Sequence, residues 1–228
     1  MESPLCLIML GGEAPGPLAE QALSTLLEEY PYVIAADRGA EHLLQMGLMP
    51  QLVVGDGDSL SEKAREACQR AQVNWLSLPQ KKDLTDGEAA LSAAVEAGYR
   101  RIAVFGAFGG RPDHLLGNLL LPLAYRAAWD SLIFYGEGFT AYYCFGNHLL
   151  TGQPGDTISL VPLSINVESI TLQGFQYPLA GRNTVLGSSL CLRNELAAKT
   201  ARITFDNGIM LIIHYKGQAN GLTGEDQS

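Results

Sequence analysis

The chain has 228 residues, 47% of them hydrophobic and 17% charged, with a formal net charge of −9. That is enough apolar material for a full core and excludes wholesale disorder. The acidic balance also argues against a broad nucleic-acid or anionic-membrane surface, which needs basic residues, though not against a small anionic substrate held by local charge or metal.

Leu5–Leu10 reads as a buried strand. Pro17–Tyr30 has helical spacing through Leu18, Ala22, Leu26 and Leu27. Tyr32–Ala36 reads as a strand, Glu41–Met46 as a short helix ended by Gly47, and Leu52–Val54 as a strand. Ser59 with Glu62 forms a capping box for a helix through Gln69, and Val73–Leu78 is the next strand. Thr85 with Glu88 is a second capping box, opening a helix that ends near Gly98. Ile102–Phe105 follows as a strand and Asp113–Ala128 as a helix. This alternation predicts a parallel sheet with helices on its faces.

After Trp129 the pattern changes to short apolar segments separated by turn residues: Ser131–Tyr135, Ala141–Phe145, Thr157–Val161, Ser169–Leu172, Ser188–Leu192, Ala201–Phe205 and Ile209–Tyr215. Asp206-Asn207-Gly208 between the last two is a hairpin signal. The fold class expected is therefore an α/β domain with a parallel sheet, residues 1–132, followed by an all-β sandwich, residues 133–216, and a frayed tail, 217–228.

The four cysteines, Cys6, Cys68, Cys144 and Cys191, include no Cys-x-x-Cys pair. That argues against a zinc cluster or a disulfide framework and for reduced thiols. Leu5–Leu10 lacks a basic lead and is short for a signal core, and no apolar run approaches the ~20 residues of a membrane span. A soluble cytoplasmic protein is expected, with no nucleic-acid or membrane partner.

Four acidic segments each follow an apolar run: Asp37, then Asp56 and Asp58, then Asp83 and Asp86, then Asp113. If the runs lie parallel, these acids share the carboxyl edge of the sheet, where open α/β sheets bind ligands. Gathered carboxylates repel unless a cation holds them, and Mg²⁺ with a polyphosphate suits an all-oxygen site. The glycines of Gly55-Asp56-Gly57-Asp58-Ser59 let backbone N–H groups approach phosphate; the alternative is a solvated, helix-capping turn. Thr85 as N-cap puts an anion-attracting helix start beside Lys82, Asp83 and Asp86, although a cap alone also explains it. Arg111 can grip phosphate bidentately, Asp113 begins a helix one turn before Asn118, and His114 is open between substrate contact, base and structural histidine. No Walker P-loop, dinucleotide fingerprint or Gly-x-Ser-x-Gly elbow is present.

The order Asp37-x-Gly39-Ala40, Gly55-Asp56-x-Asp58-Ser59, Lys82-Asp83-x-Thr85-Asp86 and Gly109-Gly110-Arg111-x-Asp113-His114 resembles the thiamine pyrophosphokinase family. Gly155-Asp156-Thr157-Ile158-Ser159-Leu160, Gly174 with Tyr177-Pro178-Leu179, and Arg193-Asn194-Glu195 look like its β-sandwich. The resemblance implies transfer of pyrophosphate from ATP to the hydroxyl of thiamine, with AMP leaving, by a Mg²⁺-dependent homodimer. In that dimer ATP lies on the α/β domain and thiamine between it and the partner's sandwich. It implies Asp56, Asp58 and Asp86 as metal ligands, and Asp58, Asp86, Arg111 and Asp113 as catalytic. Asp37, Lys82, Thr85, Arg111 and His114 would face ATP, and Asn194, Arg193 and Asn118 thiamine. Asp58 or Asp113 could accept the proton, or a loose transition state needs no base. The chain departs from the family pattern at Arg38 (usually glycine), Gly57 (commonly phenylalanine) and Arg193 (usually serine). Two rival readings are a same-fold pyrophosphokinase acting on a pterin alcohol and a non-catalytic nucleotide sensor; a third is a structural dimer whose loops only cap helices.

Overall fold

Strands buried on both faces need apolar side chains at every position, and the first half of the chain supplies them. The computed structural model describes residues 3–77 and 84–217. The chain divides into two compact units, with the division between Glu137 and Gly138.

In the first unit, strands β1 (Leu5–Met9), β2 (Tyr32–Ala36), β3 (Leu52–Val54), β4 (Asn74–Leu76), β5 (Arg101–Phe105) and β6 (Ser131–Gly136) alternate with helices α1 (Pro17–Leu27), α2 (Gly39–Gln45), α3 (Glu62–Arg70), α4 (Asp86–Glu96) and α5 (Pro112–Ala124). The strands pair in parallel in the order β6-β5-β1-β2-β3-β4. Leu5, Leu7 and Met9 of β1, with Val33, Ala35, Val53, Ala103 and Phe105, face a core closed by Ala19 and Leu23 of α1, Leu43 of α2 and Cys68 of α3. The intervening residues Cys6, Ile8, Ile34, Ile102 and Val104 are equally buried, and α4 packs against β1, β2 and β3. Each fully buried Leu or Phe here contributes about 1.5–3 kcal/mol.

Because the chain runs β1 to β4 in one direction and returns to β5 on the other side of β1, connections leave β1 and β5 in opposite directions. That makes the β1/β5 edge the topological switch point, where such sheets open a crevice.

In the second unit, β7 (Phe139–Cys144), β8 (His148–Thr151), β9 (Thr157–Pro162), β10 (Asn166–Gln173), β11 (Leu179–Val185), β12 (Asn194–Glu195), β13 (Thr200–Thr204) and β14 (Met210–Tyr215) are antiparallel. They form two layers, β12-β9-β14-β7 and β11-β10-β13-β8. Ile158, Leu160, Met210 and Ile212 from one layer interdigitate with Leu150, Val167, Ile170, Leu172 and Ile203 from the other. This is a β-sandwich core. The four cysteines are all buried and unpaired. Among the described residues no helix is long and apolar enough to cross a membrane.

Several local expectations differ from the structure. Ser131–Gly136 is the last parallel strand of the first unit and pairs with β5. Ser188–Leu192 lies in turns; Cys191 is buried there, but no strand forms. Asp206-Asn207-Gly208 reverses the chain without making a hairpin, because β13 and β14 belong to different layers. Asn207 bridges instead to Glu168. The turn residues fix the bend, and burial on each side decides the partner. The cap of α3 is Ser61, whose hydroxyl accepts from the Ala64 N–H, which releases Ser59.

Candidate active site

Each acid's position follows from a strand end. β2 delivers Asp37, whose backbone N–H donates to Val54 O at 2.8 Å while its own φ is +47°. β3 delivers the loop Gly55–Ser59, in which Gly55 and Gly57 take φ of +136° and +74°. The adjacency of β2 and β3 brings the two segments together. Asp37, Asp56 and Asp58 each place a carboxylate oxygen within 4.8 Å of the others, Asp37 half-buried and the other two exposed.

Hydrogen bonds settle the loop only in part. Asp56 Oδ1 accepts the Asp58 N–H at 3.1 Å, and the Ser59 hydroxyl donates to Asp58 Oδ1 at 3.1 Å. A hydroxyl has one proton to give. Asp37 Oδ1 is buried and no hydrogen bond reaches it. Burial, chiefly, pushes the Asp37 carboxyl above its ordinary range, and the charges of Asp86 and Asp58 add to the push.

The sequence reading grouped Asp86 with Asp56 and Asp58. The structure places Asp37 in that trio and sets Asp86 alongside, in the first turn of α4. Asp86 Oδ1 lies 3.5 Å from where a side chain on Gly55 would begin. Thr85 caps α4, its hydroxyl accepting the Glu88 N–H at 3.1 Å. The Glu88 carboxylate accepts from the Tyr125 hydroxyl rather than completing a capping box. Lys82 and Asp83 lie outside the described residues.

Beside the acids a cleft of about 330 Å³ opens at the switch point, lined by Leu10–Gly12 after β1, Asp37 and Arg38 after β2, Ser59, Thr85–Gly87, and Ala107, Gly109, Gly110 and Arg111 after β5, with His114 and Asn118 of α5. Gly12 is what lets its two walls meet. A Cβ there would stand 2.4 Å from Gly106 O and 2.5 Å from Phe108 O, and the Gly12 N–H donates to Gly106 O at 2.9 Å. Sequence reasoning missed Leu10–Gly12 and Ala107, and read Ser59 as a helix cap within the acid motif. The usable signal was the glycine pair directly after the first strand.

Arg111 is exposed at the cleft rim and forks onto Asp113, with Nε–Oδ1 at 3.1 Å and an N–O contact of 2.5 Å. The Arg111 hydrogen bond holds the Asp113 carboxyl at about 2. A carboxylate held that low is a poor proton acceptor while the pair is intact. His114 is exposed and donates its backbone N–H to Asp113 Oδ1 at 3.0 Å. Asn118 donates to Ala107 O at 3.3 Å, tying α5 to the loop after β5.

In the second unit Asn194 is only 5% exposed. Its amide donates to Tyr177 O at 2.7 Å and accepts from the Tyr177 and Glu195 N–H groups at 3.1 and 2.9 Å. Asn194 therefore braces the Tyr177 segment and has its amide committed to backbone. Tyr177 is exposed, whereas Phe175 is buried in the core. Arg193, at φ +55°, keeps an exposed side chain while its N–H donates to Ser159 Oγ at 3.0 Å.

Comparisons with known proteins agree with this division. The family model for the thiamin pyrophosphokinase catalytic domain matches residues 23–130, and that for the thiamin pyrophosphokinase vitamin B1 binding domain matches residues 147–210. A thiamine pyrophosphokinase from Bacillus subtilis is 32% identical over 201 residues, covering 84% of this chain and 90% of the relative. The crystal structure of the Bacillus subtilis thiamine pyrophosphokinase superposes with a TM-score of 0.82 at 28% identity, covering 93% of this chain and 99% of that one. The thiamin pyrophosphokinase structure from Geobacillus thermodenitrificans gives 0.78 at 29% identity, covering 94% and 99%.

Proposed function

The chain belongs to the thiamine pyrophosphokinase family, and from that premise we propose that it moves the pyrophosphoryl group of ATP to the hydroxyl of thiamine, with Mg²⁺, releasing AMP and forming thiamine diphosphate. A bond forms between the thiamine oxygen and the β-phosphorus, the bond from that phosphorus to the AMP oxygen breaks, and the hydroxyl proton is released. The observation that carries the reading is the trio Asp37, Asp56 and Asp58, within 4.8 Å of one another beside the switch-point cleft. The donor set is all oxygen, and the buried Asp37 Oδ1 has no hydrogen bond to satisfy it. Both features fit a hard divalent cation.

Asp37, Asp56 and Asp58, with Asp86 alongside, would hold Mg²⁺, which when bound offsets the negative charge of the polyphosphate. The loops after β1 and β5 take the nucleotide, with Thr85 and His114 at the rim; Lys82 is assigned to ATP from its motif alone. Arg111 exchanges part of its fork on Asp113 for phosphate oxygens, where a planar guanidinium is worth most as charge builds. Asp58, its Oδ1 already taking one donor from Ser59, and Asp113 orient the attacking hydroxyl more than they deprotonate it. A loose phosphoryl transition state asks for positioning first. The second unit contributes the thiamine side through Arg193 and the Tyr177 segment that Asn194 braces. We place the enzyme in the cytoplasm as a homodimer, each thiamine site completed by the partner subunit.

The test is AMP release from ATP with thiamine as acceptor, with and without chelator. AMP that appears only with both thiamine and free Mg²⁺ supports the reading. Turnover with a hydroxymethylpterin in place of thiamine would move the acceptor to a pterin. Nucleotide binding without AMP would make the protein a sensor.

A further inference from the structure

The acid loop holds two glycines with left-handed φ, Gly55 and Gly57, so its carboxylates need an external brace to keep one geometry. Among the described residues, two side chains from outside the loop supply it. Trp75, on the edge strand β4, donates its indole N–H to Gly55 O at 2.9 Å. Arg65, on α3, donates to Gly57 O. Each glycine carbonyl that flanks an acid is thereby tied to a different secondary-structure element. The Trp75 ring also fills the space that a side chain at 57 would need: its Cζ2 lies 2.7 Å from the position of a Cβ there. The rest of the indole packs on the first core, so the ring is held from below and is stiff enough to transmit that rigidity. The β3–β4 register, Val53 opposite Trp75 and Val54 opposite Leu76, aims the indole at the loop.

We propose that Trp75 is a positioning residue for the divalent cation: it locks the Gly55–Asp58 loop so that Asp56 and Asp58 present their oxygens with Asp37, and its emission reports occupancy of that site. The proposal rests on the reading of Asp37, Asp56 and Asp58 as the metal holders. Partners that orient ligands from behind typically change metal affinity by roughly 10–100-fold when removed. Trp75→Phe keeps a ring against the core and Gly57 but loses the N–H donor, so the lower end of that range applies.

The experiment titrates Mn²⁺ into wild type, Trp75→Phe and Asp58→Asn, following free Mn²⁺ by electron paramagnetic resonance and, in parallel, tryptophan emission. Circular dichroism confirms that each variant is folded. The chain has two tryptophans, and the other, Trp129, is buried with its N–H on Pro122 O. Trp129→Phe should therefore leave the emission response in place. The expected result is a Mn²⁺ dissociation constant about tenfold weaker in Trp75→Phe, an emission change in wild type that tracks metal uptake, and a half-saturating Mg²⁺ for AMP release that rises more than kcat falls. Wild-type affinity in Trp75→Phe would overturn the proposal while leaving the metal reading intact. Failure of wild type itself to take up Mn²⁺ would overturn both, and is seen in the first titration. If Trp75→Phe does not fold, Trp75 replaced by benzothienylalanine carries the test, since it keeps the bicyclic shape and loses only the N–H that Gly55 O accepts; weakened Mn²⁺ binding supports the proposal and unchanged binding overturns it.

Discussion

Asp37 in the first unit and Asp156 in the second both sit at the end of a strand, and the two units treat them in opposite ways. Asp37 follows β2 and leaves Oδ1 buried without a hydrogen bond. Asp156 precedes β9 and is saturated. Its Oδ2 accepts from His214 Nε2 at 2.8 Å and from the Gln153 N–H at 2.9 Å, and its Oδ1 accepts the Gly217 N–H at 3.0 Å. Burial pushes Asp156 upward, yet the hydrogen bonds from Gln153, Gly217 and His214 outweigh it and hold the carboxyl below its ordinary range. Asp37 is pushed the other way, chiefly by burial. A carboxylate with both oxygens engaged by donors is a clamp; one left short of donors among other carboxylates is what the proposed cation would satisfy. Thr184 Oγ1 is also buried without a partner, but a neutral hydroxyl carries no comparable electrostatic cost, so it marks no site.

The largest effect should separate these roles outright. Asp58→Asn should lower AMP release by about 10²–10³-fold, the scale for a lost electrostatic stabiliser, while the melting temperature stays near wild type. Asp156→Asn should keep its turnover when assayed well below its melting point. The comparison breaks if Asp156→Asn costs as much activity as Asp58→Asn. The next effect is on stability. Asparagine at 156 would turn an N–H₂ toward at least one of the three donors, leaving a buried group unpaired at about 2–3 kcal/mol. For a chain of this size that is roughly 5–10 °C in melting temperature, read by calorimetry.

The alternation of the first half was legible because helix and parallel-strand periods differ and both faces of each strand are buried. In the second half the signal thins. β11, Leu179–Val185, carries Gly181, Arg182 and Asn183 at exposed positions, so nothing apolar announces it; its pairing with β10 makes it a strand. Ser188–Leu192 ends in the short apolar run Leu190-Cys191-Leu192 that reads as strand-like, yet no strand forms there and the chain turns instead. The site follows the same division. That acids would gather at one sheet edge could be read from their place after each apolar run. Which acids meet depends on strand order, and β2 beside β3 brings Asp37 to Asp56 and Asp58. Gly11 and Gly12 offered only a glycine pair after the first strand as a signal; what they do shows in the packing, where Gly11 closes on Arg38 and Gly12 on the loop after β5.

A smaller effect sharpens the contrast at Asp37. Asp37→Asn removes a charge that the folded chain holds against burial and against Asp58 and Asp86. In metal-free buffer at neutral pH it should raise the melting temperature slightly, by about 1–3 °C. The same variant should abolish any further rise on adding Mg²⁺ and ATP analogue. A fall in melting temperature without metal would show that Asp37 supports the fold and that its strain is not kept for a ligand.

The smallest effect is the response to acid, and its sign differs between the units. The folded pKa of Asp37 lies above its unfolded value of about 3.9, so its cost is complete above the raised pKa and disappears as pH falls toward about 3.9. The folded pKa of Asp156 lies below the unfolded value, so its stabilisation is complete above about 3.9 and is lost as pH falls through the depressed pKa. Amide exchange in β2 and in β14, corrected for the intrinsic rate at each pH, reads the two units separately. Between about pH 7 and pH 4.5 protection of Val33–Ala36 should hold or rise slightly while that of Met210–Tyr215 stays level; below about pH 3.9 the second should fall first. Loss of protection in β2 before β14 would mean that the unpaired acid, and not the saturated one, is what the fold leans on, and the opposition drawn between Asp37 and Asp156 would be reversed.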